Sequence, residues 1–424
     1  MKLLIKNGHV LDPAAGCDGL YDVLAEDGKV ARIAPEIQEE ADQVIDASGC
    51  WVVPGLIDLH VHLRDPGLTY KETLATGSRA AARGGFTSIC PMPNTKPVTD
   101  TPEKIRELLE RARTESVVHI LPIGAVTIGQ QGEELTDMKG MARAGAVAVS
   151  EDGKSVMNSQ VYREGMKLAK ESGLIVMAHC EDKDLVNGGV MNAGPKAEKL
   201  GLKGITNAVE DVIVARDILL AKETGVQLHL CHCSTADSVT LTRMGKEMGV
   251  RVTAEVCPHH FAMSCEDITE DHGRFKMNPP LRAPEDVEAL KKGLADGTMD
   301  CISTDHAPHS AEEKNCSMAK AAFGIVGLET AFALGYTCLV EQGVLTFTQL
   351  ISLMTEKPAA ILGIDKGCIA PGRTADIAIV DIDTEYQIDA ASFVSKGKNT
   401  PFDGWKVKGL VKATIVDGKV VYQK

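Results

Sequence analysis

The stretch most able to do chemistry is Asp58-Leu59-His60-Val61-His62-Leu63-Arg64-Asp65-Pro66-Gly67. It follows a mostly apolar segment, residues 51–57, which is typical of a buried strand. On a strand, side chains two residues apart lie on the same face, so His60 and His62 can bind one metal ion. Arg64 shares that face if the strand continues. The alternative is a histidine pair with no ligand, so the rest of the chain must supply further ligands for a metal site.

Other polar residues follow apolar runs later in the chain. Each has a structural alternative, because an aspartate before a glycine is common in turns and a lone buried histidine is more often a satisfied core residue. Their shared position argues for function if the strands form one barrel, since barrel enzymes carry their active sites at the C-terminal ends of the strands. The candidates are Asn94, Asp152, His179, His232 and Asp305.

The middle of the chain alternates strand and helix patterns, often with glycine between a helix and the next strand. Strands are predicted over residues 55–62, 86–91, 117–123, 146–150, 174–179, 226–231, 251–257 and 299–304. Helices are predicted over residues 73–83, 102–114, 136–144, 160–171, 209–224, 236–248, 284–295 and 327–341. This alternation favours a (β/α)8 TIM-like barrel. An open doubly wound sheet is the alternative, but no glycine-rich phosphate loop follows any strand.

Both chain ends carry strand patterns instead, with Asp-Gly turn signals at Asp27-Gly28 and Asp417-Gly418. Neither end alone can bury much surface, so we expect the two ends to join. The sequence therefore predicts an α/β protein in two parts. Residues 1–53 plus 367–424 form a small composite β-sandwich domain, and residues 54–366 form the barrel.

Composition excludes several classes of function. The 424 residues carry a formal net charge of -14, which argues against binding nucleic acid or an anionic membrane. The 12 cysteines have no regular framework spacing and are typical of reduced thiols in a cytoplasmic protein. There is neither an N-terminal signal-peptide pattern nor a run of about 18 apolar residues. We expect a cytoplasmic enzyme with a small-molecule substrate.

The ligand types favour a pair of zinc ions. Four histidines and two aspartates are more than one tetrahedral ion with an open position can use, whereas two ions bridged by a carboxylate use them well. Asp152 is the natural bridge, because an anion between two cations is favoured electrostatically. A metal lowers the pKa of its bound water to about 7, which makes hydroxide available at neutral pH. Asp305 could then act as general base and afterwards as general acid.

Four further residues are candidates for substrate contacts. Arg64 can form a bidentate pair with a carboxylate. Asn94 and Asn278 each lie in a proline-rich loop, although a structural role in a turn is an equal alternative for both. His309 offers another hydrogen-bond donor near Asp305.

Three motifs together resemble the dihydroorotases of the amidohydrolase superfamily. They are the His60–Gly67 stretch, Pro91-Met92-Pro93-Asn94-Thr95, and Ser303-Thr304-Asp305-His306-Ala307-Pro308-His309 with Lys314, and the likeness covers nearly the whole chain. The resemblance implies reversible hydrolysis of L-dihydroorotate to N-carbamoyl-L-aspartate in pyrimidine biosynthesis. It implies that His60 and His62 bind one zinc ion, that His179 and His232 bind the other, and that Asp152 bridges them. Asp305 would bind the first ion and move the proton. The implied substrate contacts are His62, Arg64, Asn94, Asn278, His309, Phe323 and Gly324.

The bridging position distinguishes subtypes of this superfamily. Many relatives use a carboxylated lysine there, whereas Asp152 resembles the longer, type I dihydroorotases, with Lys154 as the alternative bridge. The rival activities are those of hydantoinases, dihydropyrimidinases and allantoinases, whose substrates mostly lack a carboxylate for Arg64. A catalytically inactive scaffold is the non-enzyme alternative, but no metal ligand is missing. The resemblance is compatible with a homodimer and with a non-covalent complex with aspartate carbamoyltransferase.

Overall fold

The computed structural model describes residues 1–424 and contains two kinds of sheet. Every strand of the central region is parallel to its neighbours, whereas most strands at the chain ends pair in antiparallel fashion. The strands are β1 (Lys2–Asp12), β2 (Cys17–Glu26), β3 (Lys29–Ala34), β4 (Gln43–Asp46), β5 (Trp51–Pro54), β6 (Leu56–Val61), β7 (Phe86–Pro91), β8 (His119–Ile120), β9 (Ile123–Ala125), β10 (Ala148–Ser150), β11 (Ile175–Ala178), β12 (Met191–Asn192), β13 (Gly204–Ile205), β14 (Leu228–Leu230), β15 (Val252–Val256), β16 (Cys301–Ile302), β17 (Ile377–Asp381), β18 (Tyr386–Gln387), β19 (Lys406–Val407), β20 (Leu410–Val416) and β21 (Lys419–Gln423).

Strands from both chain ends join in one sheet, in the order β21-β20-β17-β5-β1-β2-β3, with β4 paired to β1. Antiparallel pairing of β5 with β17 connects the N-terminal strands to the C-terminal ones. Both predicted Asp-Gly hairpins are confirmed, between β2 and β3 and between β20 and β21. In each turn both central residues have positive φ, as the tight turns that match strand twist require. The two ends thus share one apolar core that neither could form alone.

The parallel strands supply the predicted barrel. One set runs in the order β6-β7-β8 and the other in the order β16-β15-β14-β11-β10-β9. The barrel closes between its last and first strands, where the amide of His62, after β6, donates to the carbonyl of His306, after β16, over 2.8 Å. The predicted third strand is split, since β8 pairs with β7 and β9 pairs with β10. Pro122 lies between the two halves and has no N–H to donate to a neighbouring strand.

Helices follow the barrel strands and pack outside them. The eighth predicted helix is shorter than its sequence pattern, because α12 passes directly into a π-helical segment, Tyr336–Val340. The helices are α1 (Leu74–Arg83), α2 (Pro102–Glu115), α3 (Met138–Ala144), α4 (Ser159–Glu171), α5 (Lys183–Val186), α6 (Pro195–Leu200), α7 (Ala208–Thr224), α8 (Ala236–Glu247), α9 (Pro258–Ala262), α10 (Pro284–Asp296), α11 (Ala311–Lys314), α12 (Ala331–Gly335), α13 (Phe347–Met354) and α14 (Glu356–Leu362). None of them has the length and apolar character needed to cross a bilayer.

The loop after β6 packs tightly on the loop after β7, and Gly67 makes the contact possible. Its φ is +88°, and a Cβ added there would lie 1.8 Å from the Lys96 carbonyl oxygen. We therefore expect Gly67→Ala to destabilise the protein by at least about 2 kcal/mol, through backbone strain and a clash with rigid backbone. Gly16→Ala is the matched control, because Gly16 also has positive φ but has open space around it. Equal thermal unfolding midpoints for the two variants would contradict this account.

Candidate metal centre

Four histidines surround the Asp152 carboxylate at the C-terminal end of the barrel strands. Asp152 Oδ1 lies 3.2 Å from His60 Nε2, 3.5 Å from His179 Nδ1 and 3.7 Å from His232 Nε2. Asp152 Oδ2 lies 3.4 Å from His62 Nε2. The rings of His179 and His232 approach within 2.8 Å, Nδ1 to Nε2. Histidines from three strand ends, those of β6, β11 and β14, thus converge on the carboxylate that follows β10.

Asp305 contacts only one of the two histidine pairs. Its Oδ1 lies 3.0 Å from His62 Nε2 and 3.6 Å from His60 Nε2. Asp305 follows β16, which lies next to β6 where the barrel closes, and this adjacency explains the pairing. The arrangement is therefore asymmetric: Asp152 lies among all four rings, whereas Asp305 lies beside the first pair.

In the first histidine pair, the ring nitrogens that face away from the centre have oxygen partners. His60 Nδ1 lies 2.7 Å from Glu255 Oε1, and His62 Nδ1 lies 2.9 Å from Asn94 Oδ1. Such partners fix which nitrogen carries the proton and leave the other nitrogen as the metal ligand. His179 Nε2 lies 3.7 Å from Glu181, beyond hydrogen-bond distance, and has no hydrogen-bond partner.

The buried atoms at the centre fit a metal ion. His60 Nε2 and Asp152 Oδ1 are buried without a hydrogen-bond partner, and both face the middle of the cluster. Buried polar atoms without partners are costly, and a cation between them would satisfy both. Imidazole and carboxylate are also the ligand types that zinc takes in catalytic sites.

The electrostatics of the centre favour positive charge. Burial raises the pKa of Asp152, but the neighbouring rings of His60, His179 and His232 outweigh it, so that pKa lies well below the usual range. Burial lowers the pKa of His60, but the carboxylates of Asp152 and Glu255 raise it by a larger amount, so that this pKa lies well above the usual value. A cation is stabilised at this point, whether it is a proton or a metal ion.

An open cleft of about 250 Å³ lies over the centre. It brings together most of the predicted residues, while His60 lies beneath it and His309 lies behind Arg64 and Phe323. The lining residues are His62, Arg64, Asn94, Asp152, Gly153, His179, Glu181, Val186, His232, Asn278, Asp305, Ala307, Phe323 and Gly324.

Arg64 lies on the wall of the cleft but not on the strand. The strand β6 ends at Val61, and Arg64 has a φ of +58°, so the condition under which it would share the strand face of His60 and His62 is not met. Its Nε donates to the Pro308 carbonyl over 3.2 Å, and its guanidinium lies 3.3 Å from His309 Nε2. The arginine is held at the cleft wall by the loop after β16.

His309 is held as a neutral ring. Its Nε2 donates to the Phe323 carbonyl over 2.7 Å, and Lys71 Nζ lies 3.1 Å from its Nδ1. Burial and the cations Arg64, Lys71 and Lys314 lower the pKa of His309 to about 3. Since Nδ1 accepts from Lys71, the ring proton is on Nε2, the side nearer Arg64.

Both predicted asparagines lie at the cleft, whereas Lys154, the alternative metal bridge, does not. Asn94 Nδ2 donates to Asp152 Oδ2 over 3.2 Å, so this amide connects Asp152 to His62 as well as lining the cleft. Asn278 Nδ2 donates to Glu181. Lys154 is exposed and donates to the Gln130 carbonyl over 2.9 Å, away from the histidines.

Three site residues have left-handed backbone conformations that side chains other than glycine rarely adopt. The φ angles are +58° for Arg64, +34° for His232 and +47° for Asp305. Such conformations cost about 1–3 kcal/mol each and persist where the surrounding structure imposes them. Their clustering at one cleft is typical of a functional site.

Sequence reasoning missed three charged residues at or beneath the cleft, namely Glu181, Glu255 and Lys71. A signal existed for Glu255, because a carboxylate inside an apolar strand needs a partner. Glu181 follows His179 by two residues and so shares its side of the strand end. Nothing in the local pattern around Lys71 pointed to His309, which lies far along the chain.

The chain is similar to known proteins both in sequence and in three-dimensional structure. Residues 49–238 match the family described as dihydro-orotase-like. The chain is 53% identical to the dihydroorotase of Pelotomaculum thermopropionicum and 49% identical to that of Bacillus cytotoxicus, in each case over 100% of this chain and 99% of the relative. The L-hydantoinase (dihydropyrimidinase) of Arthrobacter aurescens superposes with a TM-score of 0.90 at 29% identity, covering 100% of this chain and 96% of that one. A dihydropyrimidinase from Brevibacillus agri superposes with a TM-score of 0.87 at 25% identity, covering 100% and 95%.

Proposed function

Because the chain belongs to the dihydroorotase family, we propose that its barrel-end cleft is the site of the family reaction. The protein is a cyclic amidohydrolase of pyrimidine biosynthesis that interconverts L-dihydroorotate and N-carbamoyl-L-aspartate. The observation that carries the assignment of the site is the convergence of four histidines on Asp152, with Arg64 on the wall of the same cleft.

The proposed cofactor is a pair of zinc ions. His60, His62 and Asp305 would hold one ion, His179 and His232 the other, and Asp152 would bind both. When bound, the metal supplies Lewis-acid activation of water and of the amide carbonyl. Asp152 suits the shared position because it alone lies near all four rings.

Asp305 is the proposed proton carrier. Burial raises its pKa, but His62 and His60 lower it by more, so Asp305 is a carboxylate at neutral pH and can accept a proton. In the hydrolytic direction it takes a proton from the attacking water and donates it to the ring nitrogen as the amide C–N bond breaks. The reverse reaction uses the same proton in the opposite order, as general acid–base catalysis requires.

Arg64 is the proposed partner of the substrate carboxylate. Its guanidinium is fixed at the cleft wall by Pro308, and its fork geometry suits a carboxylate. His309 is a proposed contact on the same side, and Asn94 and Asn278 are proposed contacts of the ring. Without substrate, the Nε2–H of His309 donates to the Phe323 carbonyl, and the two amides donate to Asp152 and Glu181, so substrate would compete with these partners. The backbone of Phe323 and Gly324 also lines the cleft, although both carbonyls already accept hydrogen bonds, from His309 and Lys314 respectively.

A hydantoinase-type activity is the second candidate, favoured by the close structural match to that group. The test compares turnover of dihydroorotate, hydantoin, dihydrouracil and allantoin by the zinc-supplied protein. We expect dihydroorotate to be preferred, because only it offers Arg64 a carboxylate. Preference for an uncharged ring would overturn the proposal.

Zinc removal provides an independent prediction. Dialysis against a chelator should abolish turnover, and returning two equivalents of zinc per chain should restore it. At a free zinc concentration 1,000-fold above the dissociation constant, each site should add about 4 kcal/mol of stability, which thermal unfolding can measure. Full turnover by protein shown to be free of metal would contradict the prediction.

From the family we also propose that the protein is cytoplasmic and forms a homodimer. A non-covalent complex with aspartate carbamoyltransferase is the second proposed assembly. Light scattering of the protein alone and after mixing with the carbamoyltransferase tests both assemblies.

A further inference from the structure

We infer that Glu255 is a positioning residue shared by both metal subsites, because its carboxylate holds the ring of His60 and the backbone of His232 at once. The inference deepens the proposed function and rests on its assignment of the two subsites. His60 belongs to the first subsite and His232 to the second.

Glu255 lies inside the barrel, where branched apolar side chains normally fill the space. It is on β15 and has 0% of its surface exposed. A carboxylate without water must have hydrogen-bond partners, and those of Glu255 account for both of its oxygens. Oε1 faces the metal centre, and Oε2 faces a deeper histidine, His229.

The first contact sets the state of His60. Its Nδ1 donates to Glu255 Oε1 over 2.7 Å, so Nδ1 carries a proton. Nε2 is therefore the nitrogen left to bind a metal ion, and it points at Asp152 Oδ1, 3.2 Å away. The negative charge behind the ring also makes Nε2 a better electron donor to a cation.

The second contact holds the backbone that aims His232. The His232 amide donates to Glu255 Oε1 over 3.1 Å, and this residue has the unfavourable φ of +34°. A backbone conformation of this kind persists only where neighbouring groups impose it. The ring it directs lies 2.8 Å from His179, its partner in the second subsite.

A third contact keeps the carboxylate in place. His229 Nε2 lies 3.1 Å from Glu255 Oε2, and His229 Nδ1 lies 2.9 Å from Thr253 Oγ1. These hydrogen bonds, from Thr253 through His229, hold Oε2 in place, so Oε1 remains directed at His60 and His232. A buried carboxylate with a purely structural role would not need to contact ligands of both metal subsites, as Glu255 does.

The test measures zinc affinity of the full chain by competition with a chromophoric chelator, which resolves the two binding steps. Glu255→Gln preserves the size of the side chain but removes its charge. We expect both zinc dissociation constants to rise about 10- to 100-fold, as with other groups that orient metal ligands. Glu329→Gln is the matched control, because the Glu329 side chain is also buried and accepts from the backbone amides of Val394 and Ser395, but it contacts none of the proposed metal ligands. Its zinc affinities should equal those of the wild type.

If Glu255→Gln does not fold, Glu255→Asp replaces it, since it retains the charge but withdraws the oxygens from His60 and His232. Circular dichroism of the metal-free variant verifies the fold. Wild-type affinity at both steps, or a loss at one step only, would overturn the shared role. A wild-type protein that binds two zinc ions but does not hydrolyse dihydroorotate would refute the proposed function while leaving the affinity test of Glu255 valid.

Discussion

Asp305→Asn is expected to lower kcat for dihydroorotate by about 10²- to 10⁴-fold, the usual contribution of a general acid–base group. The amide cannot take a proton from water or donate one to the leaving nitrogen. Its oxygen can still face the His60–His62 pair, so we expect the variant to retain most of its zinc. Steady-state kinetics together with metal analysis of the same sample provide the measurement.

The control for this prediction is Asp12→Asn, a buried aspartate in the sheet formed by the chain ends. Asp12 accepts from the backbone amides of Ala15 and Ile369 and is not among the residues that line the cleft. It should affect stability but not kcat. Near wild-type turnover by Asp305→Asn with its zinc intact would refute the role of Asp305 as proton carrier.

Arg64→Met is expected to raise KM for dihydroorotate by roughly 10²-fold, equivalent to about 3 kcal/mol for a lost buried charge pair. Methionine occupies similar space but offers no donors to a carboxylate. The metal ligands are untouched, so zinc content should stay unchanged. Comparison of KM and kcat for the variant and the wild type is the measurement.

Two further comparisons sharpen the Arg64 prediction. Arg64→Lys should fall between wild type and Arg64→Met, because it retains the charge but loses the two-pronged geometry. Any slow turnover of a neutral cyclic amide such as dihydrouracil should change little in Arg64→Met, since that substrate has no carboxylate. An unchanged KM for dihydroorotate would show that another group binds the acid.

The two variants separate chemistry from recognition. The Asp305 substitution should act mainly on kcat, because the proton moves only during bond making and breaking. The Arg64 substitution should act mainly on KM, because the substrate carboxylate is present before, during and after the reaction. Opposite assignments of these effects would require a different substrate orientation in the cleft.

The sequence by itself determined the alternation of strands and helices and the ligand types at the strand ends. Both are local properties: burial on each side of a strand imposes apolar runs, and turn geometry imposes Asp-Gly at the hairpins of Asp27 and Asp417. His60 and His62 could be paired from their spacing alone, because the two-residue period of a strand fixes their common face.

Only the tertiary structure decided how these groups are supported. Arg64 lies beyond the end of β6 at a positive φ, and Asn94 connects His62 to Asp152 as well as lining the cleft. Glu255 meets His60 across a separation of 195 residues. Contacts of this kind depend on how the barrel closes and which strand ends become neighbours, and no local period in the chain encodes that geometry.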